Sequence, residues 1–156
     1  MDLLENVPDP EVPVLSVVDL GIVREVELIP PRGVTVVITP TYTGCPAMDV
    51  IGMNIRMTLT SCGYEPVLVR TILFPAWTTN WLSEMAKQKL EAFGIAPPNP
   101  GQSVCHTDLF QAEEAVRCPR CQSDHTGLIS RFGSTACKAL YRCYDCKEPF
   151  DYFKCH

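Results

Sequence analysis

Two cysteine pairs near the C-terminus constrain this chain more than any other feature. Cys118-Pro119-Arg120-Cys121 and Cys143-Tyr144-Asp145-Cys146 are C-x₂-C pairs with twenty-one residues between them. A two-residue spacer closes each pair into a tight turn that aims both sulfurs at one point, and a hairpin between the pairs brings the points together. Four thiolates complete a tetrahedral shell, which makes a structural zinc site with no open position for catalysis. Forty residues, 117–156, bury too little apolar surface to stand alone, so a metal staple is expected. The spacing predicts a β-rich zinc ribbon with Cys118, Cys121, Cys143 and Cys146 as ligands. A four-cysteine set also holds iron–sulfur clusters, and spacing leaves that alternative open. Arg131-Phe132-Gly133-Ser134-Thr135 puts Gly133 first in a two-residue type II′ turn, flanked by strands at 127–132 and 135–142, with a third at 149–154. Cys137, Cys155 and His156 are surplus ligand types nearby, read either as core or edge thiols and an exposed histidine, or as a replacement knuckle ligand or the site of a second, transient metal. His125 reads as a loop residue.

The run Ala96-Pro97-Pro98-Asn99-Pro100-Gly101 can neither continue a helix nor enter a central strand, so residues 96–116 read as a linker behind a first domain over 1–95. That domain reads as α+β. Residues 22–29 and 34–39 form a hairpin across Pro30-Pro31-Arg32-Gly33, the second strand being β-branched and buried. Residues 46–62 change to helical period, with Met48, Ile51, Ile55 and Leu59 on one face, Asp49 in the first turn and Gly63 past the end. Residues 66–74 read as a third strand. A last helix runs from about Asn80 to Phe93, with Leu82, Met85, Ala86, Leu90 and Phe93 inward and Gly94 at the stop. The result is a ββαβα sheet with packed helices behind a short acidic lead.

Thr41-Tyr42-Thr43-Gly44-Cys45-Pro46 joins the buried strand to the first helix. Pro46 suits the first helical position, which puts Cys45 at the N-cap, where the helix dipole lowers a thiol pKa. Cys45 is then either a reactive thiol or an inert one at a strand–helix corner. His106, His125 and His156 all lie outside this unit, so a Cys–His dyad is not supported. No phosphate-binding or metalloprotease motif is present. Asp19, before the first strand, reads as a turn or capping residue. Cys62, near a helix end, reads as packed, and Cys105 beside His106 has no assigned role.

Charge excludes one class of partner. Residues 1–116 hold six Lys/Arg and fourteen Asp/Glu, and residues 117–156 hold seven and four. The acidic first unit argues against nucleic acid, although the basic ribbon keeps a nucleic-acid-binding reading as an alternative. No apolar run approaches a bilayer span, and the acidic opening MDLLENVPDPE does not read as a signal peptide. A cytoplasmic protein is expected, in which nine cysteines mean metal or thiol chemistry rather than disulfides.

Asp9-Pro10-Glu11-Val12-Pro13, Ser16 to Val23, and Thr43-Gly44-Cys45-Pro46 resemble the motifs of the MIP-type family of iron–sulfur assembly proteins, which includes the SufT-like factors, over about residues 3–95. Trp77 to Glu84, Gly94 to Pro98, Phe132 to Ala139 and Glu148 to His156 resemble, over the whole chain, the D-subunit family of bacterial phenylacetyl-CoA epoxidases. That family more often has Asp where Asn80 stands. The resemblance implies a non-catalytic accessory or maturation factor for a multicomponent oxygenase, whose epoxidation belongs to other subunits. It implies that Cys45 contacts a transient iron–sulfur cluster, with Asp19 and Thr43 shaping the pocket. The implied partners are the other epoxidase subunits, above all the iron–sulfur reductase, along with general iron–sulfur assembly factors and, for a shared site, a second copy in a homodimer. A client would dock on the ribbon through Phe150, Tyr152 and Phe153, unless these form its core. A permanent structural subunit without transfer chemistry is the alternative.

Overall fold

The structure, a computed structural model, describes residues 2–98 and 116–154. The chain divides into two compact units, Met1–Ala86 and Lys87–His156. The first is built on strands β1 (Val23–Ile29), β2 (Gly33–Ile38) and β3 (Val67–Thr71) in the order β1-β2-β3. β1 and β2 form the expected antiparallel hairpin, with Val26 opposite Val36 and Leu28 opposite Val34. β3 runs parallel to β2, so the chain must cross over between them, and helix α1 (Ala47–Ser61) makes the crossing. Val34, Val36 and Ile38 of the central strand are buried. α1 buries Ala47, Ile51, Ile55 and Leu59 at four-residue steps, while Met48 is only half-buried. Gly52 is buried on the sheet-facing side of the helix, where a Cβ would make ordinary contact 3.8 Å from Val69 Cγ1.

The acidic lead is far more than a lead. Leu4, Val7, Val12, Leu15, Val17, Leu20 and Ile22 are all buried, positioned by one short 3₁₀ turn, Leu4–Asn6, and otherwise by irregular turns. Asp9 Oδ1 accepts the N–H groups of Glu11 and Val12 at 2.8 and 2.7 Å. Ser16 N–H donates to Asp19 Oδ2 and Asp19 N–H donates to Ser16 Oγ, both at 3.0 Å. Asp19 is thus the capping residue its place in the sequence suggests. Without a helical or strand period, nothing in the sequence marks these apolar residues as core.

The single helix expected over 80–93 is broken. A short 3₁₀ turn, Thr79–Trp81, precedes helix α2 (Glu84–Phe93). The break follows from what the tryptophans bind. Buried Trp77 donates Nε1–H to Leu20 O at 2.8 Å, and Arg24 lies 3.5 Å above the Trp81 ring. The chain then extends through Leu82 and restarts at Ser83, whose Oγ accepts Ala86 N–H at 3.0 Å. Leu82, Ala86 and Leu90 are buried as expected, but Met85 and Phe93 stand 63% and 60% exposed. Four-residue steps, not apolar character alone, select the inward residues.

In the second unit, β4 (Ile95–Ala96) joins β5 (Thr126–Ser130), β6 (Lys138–Cys143) and β7 (Pro149–Phe153) in the order β4-β7-β6-β5. The three ribbon strands appear, but the two-residue turn does not: seven residues, 131–137, connect β5 to β6. Gly133 does not adopt a left-handed conformation. Its side is occupied instead, since a Cβ there would stand 2.6 Å from Asp151 Oδ1. The loop wraps Asp151, with Ser134 Oγ donating to Oδ2 at 3.0 Å and buried Lys138 Nζ 3.8 Å away. Tyr141 packs against Phe150 and Tyr152 with ring centres 5.9 and 5.7 Å apart, around Ala96, Val116, Cys118, Ala139 and Cys143. Phe150, Tyr152 and Phe153 are buried, so they form the interior and present no docking face. Among the described residues no helix is long and apolar enough to cross a membrane.

Candidate functional site

The sulfurs of Cys118, Cys121, Cys143 and Cys146 all lie within 4.8 Å of one another. Cys118 and Cys146 are 3.8 Å apart, Cys121 and Cys143 3.5 Å. Zinc–sulfur bonds of about 2.3 Å at tetrahedral angles require sulfurs about 3.8 Å apart, so the set fits that ion. The two knuckles repeat the same backbone. Cys118 N–H donates to Ser123 O at 2.9 Å and Cys143 N–H to Glu148 O at 3.0 Å. Gln122 and Lys147, each just past the second cysteine, take positive φ of 63° and 66°. Non-glycine residues rarely do so, and the strain persists where surrounding structure enforces it.

Backbone amides face the sulfurs. Burial disfavours the Cys143 thiolate, but the N–H groups of Cys146 and Asp145 together with the Cys121 and Cys146 thiols outweigh it and bring that thiol down to about 6. The Glu148 N–H favours a Cys146 thiolate, yet desolvation and the neighbouring sulfurs push that thiol up to about 12. The thiolate is thus favoured at Cys143 and disfavoured at its neighbour Cys146, a crowding of sulfurs that a divalent cation would relieve.

Beside the knuckles lies a polar group that sequence reasoning does not single out. Asp145 accepts from Ser123 Oγ at 2.5 Å and lies 3.0 Å from His125 Nδ1. These two partners hold its carboxyl below the ordinary carboxylate range. A serine and a histidine following a C-x₂-C pair carry no recognisable signal, because the bond forms only when the second knuckle arrives.

Cys45 lies at the other candidate site. β2 and β3 end together, with Ile38 opposite Thr71, and β1 begins at the same end, with Val23 opposite Ile38. The turn that carries Cys45 leaves from there. Gly44, at φ +84°, has open space where a Cβ would stand. α1 starts at Ala47 with Pro46 as its cap residue, so Cys45 is one position earlier than expected. Its thiol is pushed up, not down: burial outweighs the Ala47 N–H and the Tyr42 side chain, and the Glu11 and Asp9 carboxylates add to the rise. The structure therefore brings Cys45 together with Tyr42, Asp9 and Glu11. Thr43 is exposed on the same turn, and Asp19 is engaged with Ser16. Among the described residues the ribbon cysteines are the one group of three or more side chains placed to hold a metal ion.

Of the remaining cysteines, Cys62 is exposed rather than packed. Cys137 is buried, with Thr135 Oγ1 3.0 Å from its sulfur. Cys105, His106, Cys155 and His156 lie outside the described residues.

Residues 1–64 match the family described as iron–sulfur cluster assembly protein, and residues 102–154 match the PaaD zinc beta ribbon domain. The chain is 54% identical to the D subunit of the "Putative 1,2-phenylacetyl-CoA epoxidase" of Escherichia coli (strain K12), over 98% of this chain and 89% of that one. It is 37% identical to the "Fe-S protein maturation auxiliary factor" of Porphyromonas gingivalis (strain ATCC BAA-308 / W83), over 56% of this chain and 84% of that one. A crystal structure of a DUF59 domain from Bacillus anthracis superposes with a TM-score of 0.54 at 28% identity, covering 57% of this chain and 85% of that one.

Proposed function

This chain belongs to the D-subunit family of 1,2-phenylacetyl-CoA epoxidases, and from that premise we propose that it is a non-catalytic accessory factor that helps assemble an iron–sulfur or metal centre of the epoxidase. The observation that carries this reading is the division of labour among its cysteines. Four sit in a closed tetrahedral set. Cys45 belongs to the other unit, half-buried at the end of a sheet in the part of the chain that matches iron–sulfur assembly proteins.

In this reading the ribbon cysteines hold zinc, which supplies no chemistry beyond stapling two knuckles. Cys45 is the thiol that meets the cargo, an iron–sulfur cluster or its iron. Burial keeps Sγ protonated at rest, so binding iron releases that proton. Thr43 lines the approach and Asp19 shapes the lead behind it. The client is another epoxidase component, the iron–sulfur reductase first among them, loaded alone or with general assembly factors, and Cys45 acts singly or across a homodimer.

The test is the iron, zinc and acid-labile sulfide content of protein purified without oxygen, for the wild type and Cys45→Ser. The expected result is about one zinc per chain in both, the four-ligand stoichiometry, with iron and sulfide lost only in the variant. Zinc without sulfide in either protein refutes the transfer role and leaves a permanent structural subunit.

A further inference from the structure

Asp145 stands inside the second knuckle, between Cys143 and Cys146, yet its carboxylate belongs to the first. Its Oδ2 accepts from Ser123 Oγ at 2.5 Å, and its Oδ1 lies 3.0 Å from His125 Nδ1, across 22 and 20 residues of sequence. Ser123 is the residue that closes the first knuckle: its carbonyl receives Cys118 N–H, and its own N–H faces the Cys121 sulfur. Ser123 Oγ also accepts His125 N–H at 2.9 Å, and His125 O receives Tyr144 N–H at 2.8 Å. One carboxylate therefore ties the closing segment of one knuckle to the turn of the other without using a sulfur. The link is one-sided. Arg120 occupies the equivalent place in the first knuckle and makes no matching bond among the described residues.

We infer that Asp145 is a positioning residue for the ribbon metal, a latch between knuckles that sets how fast the ion leaves. The inference rests on the reading that the four cysteines hold an ion. Each knuckle supplies two of the four sulfurs, so release to a competing ligand requires the knuckles to part. A bond that joins them outside the sulfurs opposes that parting. The latch is solvent-exposed, with Asp145 and His125 side chains 56% and 69% accessible, and exposed pairs add little to overall stability. Metal release and melting should therefore respond differently when it is cut. Outer-shell partners of metal ligands typically change metal affinity by about 10–100-fold.

The experiment uses the full chain loaded with Co²⁺, whose thiolate absorption reports tetrahedral sulfur ligation, and follows its transfer to excess EDTA. Asp145→Ala should release cobalt about tenfold faster with an unchanged spectrum and melting midpoint. Ser123→Ala should also release faster, and the double variant no faster than Asp145→Ala alone, because both cut one link. A release rate for Asp145→Ala within about twofold of wild type, below the range for such partners, overturns the latch and leaves the ribbon site standing. If Asp145→Ala loses the tetrahedral spectrum, Ser123→Ala decides: faster release supports the latch and an unchanged rate overturns it. A wild-type chain that takes up no cobalt on these thiols overturns the metal site itself, and the latch with it.

Discussion

Gly21 offers a sharp test of how the tryptophan segment is docked. Its φ is +65°, and a Cβ on it would stand 2.6 Å from Trp81 O and 2.9 Å from Trp81 Cβ. The obstacle includes backbone, which cannot swing aside as a side-chain end can. Alanine at this position meets two penalties. The left-handed conformation costs an L-residue about 1–2 kcal/mol, and overpacking against a fixed neighbour costs about 1–3 kcal/mol. The narrower unfolded ensemble of alanine returns about 0.4–1 kcal/mol. Gly21→Ala should therefore destabilise the first unit by about 2–4 kcal/mol, or about 8 °C or more in midpoint for a unit of this size. The assay is built into the protein, because its two tryptophans, Trp77 and Trp81, both lie in the docked segment and Trp77 is buried. Intrinsic fluorescence followed through urea thus reports this unit and this contact. The variant should unfold at lower urea, and if the segment lifts off, its native emission should also shift to the red. A midpoint within about 0.5 kcal/mol of wild type, the scatter of a neutral surface change, with unchanged emission would refute the close approach.

Three further outcomes follow from the same structure. Ser83→Ala should cost about 1 kcal/mol by removing the Oγ acceptor for Ala86 N–H, read as lost helicity or a lower melting midpoint. Alkylation of Cys45, followed peptide by peptide in a mass spectrometer, should rise at higher pH than for a free thiol of about 8.5, because burial and the two carboxylates favour the protonated form. Asp9→Asn or Glu11→Gln should move that profile back toward lower pH; no movement in either would place those carboxylates too far away to matter. A strong chelator should unfold the ribbon, since removing the ion leaves four crowded sulfurs without their shared partner, and added zinc should restore near-wild-type circular dichroism; a ribbon indifferent to chelation would contradict the staple.

Some of this architecture is legible along the chain because its causes are local. The β-branched run at 34–39 can hardly do anything but sit in a buried strand, and it does so as Gly33–Ile38. Ile51, Ile55 and Leu59 announce their shared face by spacing, and Gly63 and Gly94 announce their helix stops by composition, both at positive φ. The C-x₂-C pairs announce their own convergence, since a two-residue spacer allows few other geometries. Local inference fails where a distant group makes the decision. Gly133 has the look of a turn residue, but the space beside it is taken by the Asp151 carboxylate, eighteen positions away. The helix expected from Asn80 is interrupted because Trp77 and Trp81 are needed at Leu20, Gly21 and Arg24. The helix dipole alone would lower the Cys45 thiol, whereas burial beside Asp9 and Glu11 reverses the sign of its shift.

By itself the sequence determined the two kinds of unit and the four ribbon cysteines as a set that could hold a metal ion. These depend on residue type and short spacing, which hold whatever the rest of the chain does. Only the tertiary structure decided which apolar residues of the irregular first twenty-two are core, that Ile95-Ala96 adds a strand to the ribbon sheet, and that Asp145 bonds to the opposite knuckle. Each of these is a contact between segments whose separation in sequence carries no period. Its energy exists only once the chain has closed the intervening loop, so no local propensity can encode it.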